Sequence, residues 1–187
     1  MSAQVVAFDL SLTCTGWATA SGCGVLTPPS SVDRGTDRLR WIRDAVLSRV
    51  PDGAVVVLEG YSFASRGRAI ISLGELGGVV RCALADAGIP WADVPPTCRA
   101  MFATGKGNAA KAEVLAAAIR TLGYAGHSFD EADALWLYRM GMSRYGATDL
   151  HLTAKQQQAL AAIAWPAHHP DRESAPVHHS PDGEQRR

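Results

Sequence analysis

Two carboxylates stand in segments that otherwise consist of apolar residues. Asp9 lies near the end of "QVVAFDL" and Glu59 ends "AVVVLE", and both runs have the composition of a buried strand. Aspartate is disfavoured in strands, and a buried charge is costly unless it is paired or bound to a metal ion. A glutamate at a strand end is an ordinary exposed residue in about half of cases. Ligands, however, also bind at the carboxyl ends of α/β strands. Both acids are therefore candidates for a functional site.

Two further acids open the apolar segment "HSFDEADALW". Asp130 and Asp133 are three residues apart and share one helix face, whereas Glu131 points about 100° away from Asp130. Ser128 and Glu131 fit a capping box, and acids in a first helical turn suit the helix dipole, so Asp130 has a structural as well as a functional explanation. For Asp133 no capping position is left. Glu131 is either a helix cap or an additional ligand.

Four carboxylates brought together would repel one another and raise one another's pKa values unless a cation lay between them. Hard oxygen ligands without an accompanying histidine or cysteine favour magnesium or manganese. Four such groups can hold two ions roughly 3.5–4 Å apart, the arrangement that activates water and stabilises the leaving oxygen in phosphodiester hydrolysis. We therefore predict a catalytic metal site formed by Asp9, Glu59, Asp130 and Asp133.

A glycine-rich loop with two lysines, "TGKGNAAK", forms a second candidate site. Gly105 and Gly107 would let the backbone approach phosphate, Lys106 supplies a mobile charge, and Lys111 lies near the start of the next helix, whose N-terminus favours anions. The alternative is a flexible loop with solvated lysines. The formal net charge is zero, which is unusual for a nucleic-acid binder, but the section between residues 60 and 124 carries a positive excess.

The hydrophobic pattern predicts a mixed α/β domain with a central sheet. Three short strands, Gln4–Leu10, Trp17–Ala20 and Gly24–Thr27, form an antiparallel meander, and further strands follow in "AVVVLEG" and "IPWADVPP". The predicted helices are Asp33–Val50, Ile70–Ala87, a helical turn in "TCRAMFAT", an alanine-rich helix ending near Gly123, a core helix ending near Tyr145, and Thr153–Trp165.

Three glycines interrupt the second predicted helix. Gly74, Gly77 and Gly78 each cost about 1 kcal/mol relative to alanine inside a helix. We therefore expect close approach of another element to that face, either the sheet or a second subunit.

The chain of 187 residues is 47% hydrophobic and 19% charged, enough for one core that buries roughly 70% of the unfolded surface. We expect one domain over residues 1–150, a C-terminal helix over 151–165 and a disordered tail over 166–187. The histidines of that tail could bind metal, but composition favours disorder. No apolar run approaches the roughly 18 residues of a membrane helix and the N-terminus lacks signal-peptide features, so we expect a cytoplasmic protein without membrane contact.

Five motifs in register resemble those of the RuvC-like Holliday junction resolvases of the ribonuclease H-like nuclease group. They are "FDLSLTCTGWA", "VVLEGYSF", "SLGELGGVVRCAL", "VPPTCRAMFATGKGNAAKAEV" and "DEADALWL", and together they span about Val5 to Leu137. The resemblance implies an α/β, ribonuclease H-like fold. In this fold a mixed five-stranded sheet, with three antiparallel strands followed by parallel strands, is flanked by helices.

The resemblance also implies an activity. It indicates a magnesium-dependent endonuclease that resolves four-way (Holliday) junctions or other branched DNA and leaves 5′-phosphate ends. The acids matching Asp9, Glu59, Asp130 and Asp133 would bind two Mg²⁺ ions, for which Mn²⁺ can substitute. The helix matching Ile70–Ala87 is implicated in homodimer packing, which places two active sites on one junction.

The resemblance further assigns DNA contacts. The candidates are Lys106, Lys111, Arg99, Tyr61, Phe63, Arg66 and Arg68. Arg99 stands where a lysine is usual. An aromatic residue after the Glu59 strand is expected to stack on a base, which contributes about 1–3 kcal/mol. Both Tyr61 and Phe63 are candidates for this role, and core packing explains Tyr61 equally well.

Some features depart from the family pattern, and two alternatives stay open. Glu131 replaces a small residue, the net charge is zero and the polar tail is long, which indicates a divergent, phage-type member acting in a bacterial cell or a phage-infected host. "DLSLTCTG" also resembles the phosphate-binding hairpin of actin-like phosphotransferases, but those proteins need two such domains around a nucleotide. A non-catalytic branched-DNA-binding module is the other alternative, although all four acids are present.

Overall fold

A computed structural model describes residues 4–32, 35–60, 68–145 and 151–167, with side chains from residue 71 onward in the third range. β1 (Val5–Asp9), β2 (Thr15–Thr19) and β3 (Gly22–Leu26) are antiparallel neighbours, and β4 (Val55–Glu59) and β5 (Trp91–Val94) continue from β1 in parallel. The strand order is β3-β2-β1-β4-β5. The predicted mixed five-stranded sheet is confirmed.

Six helices lie among the described residues: α1 (Thr36–Leu47), α2 (Arg68–Asp86), α3 (Pro96–Thr104), α4 (Lys111–Leu122), α5 (Phe129–Arg144) and α6 (Ala154–Ala161). Where the sequence predicted a single helical turn before the glycine-rich loop, the structure has the nine-residue helix α3. Pro96 occupies its first position, where the fixed φ of proline favours helix initiation. The predicted last helix is too long. It ends at Ala161, and the indole N–H of Trp165 turns back to donate to the Leu160 carbonyl at 2.9 Å.

Alternation along β1 and β4 divides the core into two layers. One layer packs against α1 and α2 and includes Val6, Phe8, Val56, Leu58, Ile42, Val46, Leu76 and Val80. The other packs against α3, α4, α5 and α6 and includes Val5, Ala7, Val57, Val94, Phe102, Val114, Trp136 and Leu137. Asp9 and Glu59 each follow a residue of the second layer by two positions, so both acids point toward α5.

α5 is the helix that fixes the second layer to the sheet. A Cβ added at Gly141 would lie 2.7 Å from Cγ1 of Val5 and 2.9 Å from Cγ2 of Val57, so glycine is required for this close approach. Trp136 is buried, and its indole N–H donates to the Val114 carbonyl at 3.2 Å. These contacts anchor the helix that carries Asp130 and Asp133.

α6 packs on α3 and contributes Leu160 to the same core. Nε2 of Gln156 donates to the Phe102 carbonyl at 3.2 Å, and Nζ of Lys155 donates to the Gly105 carbonyl at 2.9 Å. The carbonyl groups at the end of α3 are thus satisfied by side chains of α6.

Two of the three glycines of α2, Gly74 and Gly78, do not contact the sheet closely, whereas Gly77 is buried. A Cβ added at Gly74 or Gly78 would meet no described atom within 4 Å. The sheet therefore does not approach closely at Gly74 and Gly78, the two glycines on the exposed side of α2. None of the helices in the described ranges is long and apolar enough to cross a bilayer. Residues 168–187, which include the histidines of the predicted tail, lie outside the described residues.

Candidate active site

Asp9 and Glu59 end the two central strands side by side. β1 and β4 run parallel with Phe8 beside Leu58, and the two acids are the next residue of each strand. Asp9 is buried and Glu59 is half-buried. Burial, followed by the charge of Glu59 and a hydrogen bond between the two carboxyl groups, raises the pKa of Asp9 well above its ordinary value. The sheet therefore brings the two strand acids together.

The first turn of α5 brings Asp130 and Asp133 to the same end of the sheet. β2 packs against this turn at Gly16, which pairs with Asp9 across the β1–β2 ladder. A Cβ added at Gly16 would overlap the Asp130 carbonyl group. Glycine at this position therefore allows the helix acids to approach Asp9. The sequence analysis missed this role, for which an isolated glycine inside a strand pattern is the available signal.

Asp133 is the most deeply buried of the four acids. Burial raises its pKa to about 6, with Arg99 and Lys111 opposing the shift and Glu59 adding to it. Its Oδ2 atom has no hydrogen-bond partner, and Nζ of Lys111 lies 3.8 Å from that atom. The exposed ammonium of Lys111 therefore stands at the edge of the acidic cluster formed by Asp9, Glu59, Asp130 and Asp133.

Arg99 lies inside this acidic cluster, which differs from the DNA contact that the resemblance implies. Only 6% of the residue is exposed. Its Nε donates to Oε1 of Glu59 at 2.6 Å, and its Nη1 donates to Oδ1 of Asp133. Burial alone would lower the pKa of the guanidinium, but the charges of Glu59 and Asp133 outweigh burial and the pKa rises. In this arrangement the guanidinium faces the acids and not the surface, so the DNA contact of Arg99 stays a prediction.

The donor chemistry of the cluster fits divalent cations. Its ligands are hard carboxylate oxygens, and the buried Oδ2 of Asp133 lacks a hydrogen-bond partner. Within the described ranges, however, no three Asp, Glu, His or Cys side chains are already grouped to hold one ion, and Arg99 bridges two of the four acids. Metal binding by these residues thus requires rearrangement of side chains.

Glu131 points away from the acidic cluster. The hydroxyl of Tyr124 donates to its Oε2, and the same hydroxyl accepts a hydrogen bond from the Ser128 N–H at 3.2 Å. The Ser128 hydroxyl accepts from the Glu131 N–H at 3.3 Å. Tyr124 therefore completes the cap between Ser128 and Glu131, a role that the sequence analysis missed because a tyrosine four residues before the cap follows no capping pattern. Burial, followed by the hydrogen bond to Glu131, raises the pKa of Tyr124 to about 12.

The glycine-rich loop between α3 and α4 carries Lys106 at the surface. The Lys106 side chain is 65% exposed, and its Nζ donates to Oε1 of Glu113 at 3.2 Å. Gly105 ends α3 with a φ of 80°, a left-handed conformation that favours glycine. The φ of Gly107 is not in the left-handed region. A Cβ added at Gly107 would lie 3.4 Å from the Thr97 carbonyl oxygen, so the position has room for a small side chain.

The other predicted DNA contacts cannot be located in the same way. Tyr61, Phe63 and Arg66 lie outside the described residues. Arg68 begins α2, but its side chain is outside the described part of the chain.

Comparisons with known proteins agree with this arrangement. No protein-family model matches the sequence. Two curated relatives, both named crossover junction endodeoxyribonuclease RuvC and found in Nitratidesulfovibrio vulgaris strains DP4 and Hildenborough, are each 30% identical over 175 residues, 87% of this chain and 98% of the relative. This identity, over nearly the whole length of both proteins, shows that the chain is related to these enzymes.

Solved structures confirm the ribonuclease H-like fold. Thermus thermophilus RuvC is 23% identical with a TM-score of 0.59, over 76% of this chain and 96% of that chain. Thermus thermophilus RuvC in complex with Holliday junction substrate is 24% identical with a TM-score of 0.57, over 78% and 94%. The chain belongs to the RuvC family of crossover junction endodeoxyribonucleases.

Proposed function

We propose that this protein is a divalent-metal-dependent endonuclease that resolves four-way junctions, and other branched DNA, by phosphodiester hydrolysis. The observation that carries the proposal is the convergence of Asp9, Glu59 and Asp133 from three elements, with Asp9 and Asp133 buried and Oδ2 of Asp133 lacking a hydrogen-bond partner. Buried carboxylates in such number are costly unless cations balance them. The names of the curated relatives and the Holliday junction bound to a solved relative support the substrate class.

The residues of the acidic cluster would hold two Mg²⁺ ions, with Mn²⁺ as a substitute. When bound, the ions supply an activated water and stabilise the leaving oxygen. Asp9 and Glu59 are held by the backbone of adjacent strands, and Asp133 by a helix anchored through Trp136, so the backbone positions of the acids are fixed while their carboxylates can rearrange. Lys111 is exposed at the edge of the cluster, where its ammonium can bind the phosphate next to the scissile bond.

DNA outside the cleavage site would contact the glycine-rich loop and the segment after β4. Lys106 can exchange its exposed partner Glu113 for a phosphate at little cost. Tyr61 and Phe63 follow Glu59 closely along the chain, so either can stack on a base beside the acids, and Arg66 and Arg68 are further phosphate contacts.

A second copy of the chain would pack on α2. Ile71 is 65% exposed, and a Cβ added at Gly74 or Gly78 would meet nothing within 4 Å among the described atoms. Ile71, Gly74 and Gly78 lie three, four and seven residues apart and so share one helix face. A symmetric pair of α2 helices would cover this face and place two active sites on one junction.

One observation favours a second candidate function, a branched-DNA-binding module without catalysis. Arg99 already neutralises part of the acidic cluster, as a structural ion pair would in a domain that had lost its metal. The two candidates differ only in whether the bound junction is cut.

The test is a cleavage assay on synthetic four-way, three-way, flap and linear duplex DNA with magnesium, manganese or chelator. We expect metal-dependent cleavage of the four-way junction, and no cleavage by Asp9→Asn although this variant still binds. Junction binding without cleavage under every metal condition would identify the binding module instead.

A further inference from the structure

Arg99 is the one cation that the structure places within the acidic cluster among the described residues. Its Nε and Nη1 donate to two different acids, Glu59 from β4 and Asp133 from α5. These acids are 40 and 34 positions from Arg99 along the chain, so one guanidinium joins three elements. Lys111 contributes only an exposed ammonium 3.8 Å from Asp133.

The guanidinium suits this place for chemical reasons. It stays protonated in proteins, and its planar fork donates to two carboxylates at once, whereas the ammonium of lysine is a single rotatable point charge. One positive charge nevertheless faces the carboxylates of Asp9, Glu59 and Asp133, and Oδ2 of Asp133 still lacks a hydrogen bond. The cluster therefore holds together without metal, yet it is not fully balanced.

A metal ion bound by these acids would compete with Arg99. An oxygen atom that accepts a charge-assisted hydrogen bond has less electron density to offer a cation. A guanidinium next to a divalent ion would also experience strong repulsion in a poorly solvated site. Both effects act at Oε1 of Glu59 and Oδ1 of Asp133, the two atoms that Arg99 now contacts.

We propose that Arg99 is the resident counter-cation of the acidic cluster, a positioning residue that holds Glu59 and Asp133 in the metal-free protein and releases them when metal binds. The inference rests on the proposed function, because the competition presupposes that the acids bind metal. The contacts of Arg99 with Glu59 and Asp133 stabilise the fold without metal, and the same contacts weaken metal binding. These opposite effects on metal-free stability and on metal affinity distinguish it from an ordinary structural ion pair.

The experiment uses the full chain and Mn²⁺ alone as the probe. Thermal unfolding is measured with chelator and with saturating Mn²⁺, and Mn²⁺ affinity is measured by electron paramagnetic resonance. The variants are Arg99→Met, which removes the charge at similar volume, and Arg99→Lys, which keeps the charge and loses the fork. Arg81→Met is the matched control, since Arg81 makes a two-pronged contact with Asp93 outside the cluster.

We expect Arg99→Met to lower the unfolding temperature in chelator by about 10 °C, because a buried ion pair loses one partner. The same variant should bind Mn²⁺ roughly tenfold more tightly, a change within the range found for coupled binding events. Mn²⁺ should therefore raise its unfolding temperature more than that of the wild type. Arg99→Lys should lie between the wild type and Arg99→Met in unfolding temperature and in Mn²⁺ affinity. Arg81→Met should leave Mn²⁺ affinity unchanged.

Unchanged or weaker Mn²⁺ binding by both Arg99 variants would overturn the inference while leaving the proposed function intact. If Arg99→Met does not fold in chelator, the Mn²⁺ affinity of Arg99→Lys decides the matter. The proposed function fails separately, if Asp9→Asn and Asp133→Asn bind Mn²⁺ as well as the wild type does.

Discussion

Arg99 and Lys106 are seven positions apart in one segment, yet they form ion pairs of opposite kinds. Arg99 is 6% exposed and bridges two carboxylates, whereas the Lys106 side chain is 65% exposed and contacts Glu113. An exposed pair contributes about 0–1 kcal/mol, but removing one partner of a buried pair costs about 3–5 kcal/mol. Burial therefore separates a basic residue that organises the acidic cluster from one that can exchange its partner for DNA.

The acidic cluster should give the largest effect when one of its buried acids is neutralised. Asp133→Asn should reduce cleavage of a four-way junction by on the order of 10⁴-fold, as happens when one member of a catalytic unit is removed. Junction affinity should stay within about threefold of the wild type, since Asp133 is buried and only borders the DNA surface. Single-turnover cleavage and gel-shift titration measure the two quantities. Equal losses of cleavage and binding would place Asp133 in a structural role.

Two glycines test the same difference between the packed acidic cluster and the exposed glycine-rich loop. Gly16→Ala should lower the free energy of unfolding by about 3 kcal/mol, because the new methyl group overlaps the Asp130 carbonyl and must push α5 away from β2. Gly107→Ala is the matched substitution in the exposed loop, where the nearest atom is 3.4 Å away, and should change stability by less than about 1 kcal/mol. Urea denaturation compares them. Similar losses for both variants would contradict the close packing of α5 at Gly16.

Lys106 should show the smaller effect typical of an exposed pair. Lys106→Ala should weaken junction binding modestly and reduce the slope of log affinity against log salt by about 0.9, which corresponds to one lost phosphate contact. Glu113→Gln is the complementary variant, since it removes the carboxylate charge that now holds Lys106 and should strengthen binding. Binding titrations over a range of salt concentrations measure both. An unchanged slope in Lys106→Ala would show that Lys106 does not contact phosphate.

Tyr124 should have the smallest effect on activity, because it is buried but lies outside the acidic cluster. Its pKa of about 12 is above the ordinary value, so the fold favours the neutral phenol. The stability from this preference is present below about pH 10 and is lost as pH rises through about 12. Tyr124→Phe should remove the component near pH 12 from the absorbance titration of tyrosine at alkaline pH and leave cleavage unchanged. Loss of a component near pH 10 instead, with the component near pH 12 retained, would mean that the Tyr124 phenol is solvated.

The position of the four acids could be predicted from local patterns. Alternation along β1 and β4 places Asp9 and Glu59 on one face of the sheet, and the spacing of three residues places Asp130 and Asp133 on one face of α5. Both periodicities are properties of the backbone and operate within a few residues. The five strands followed for the same reason, since each carries its own apolar pattern, and the family resemblance implied their arrangement in one mixed sheet.

The contacts within the site were decided by tertiary structure alone. Arg99 pairs with acids 34 and 40 positions away, and Gly16 makes room for a helical turn more than 100 residues later. Tyr124 takes part in the cap of α5, although no capping pattern includes a tyrosine at that position. No local pattern reports which distant element will cover a side chain, and burial changes both the strength of an ion pair and the partners within reach. The sequence by itself determined which residues carry the charge, and packing of the helices on the sheet decided which of those charges face each other.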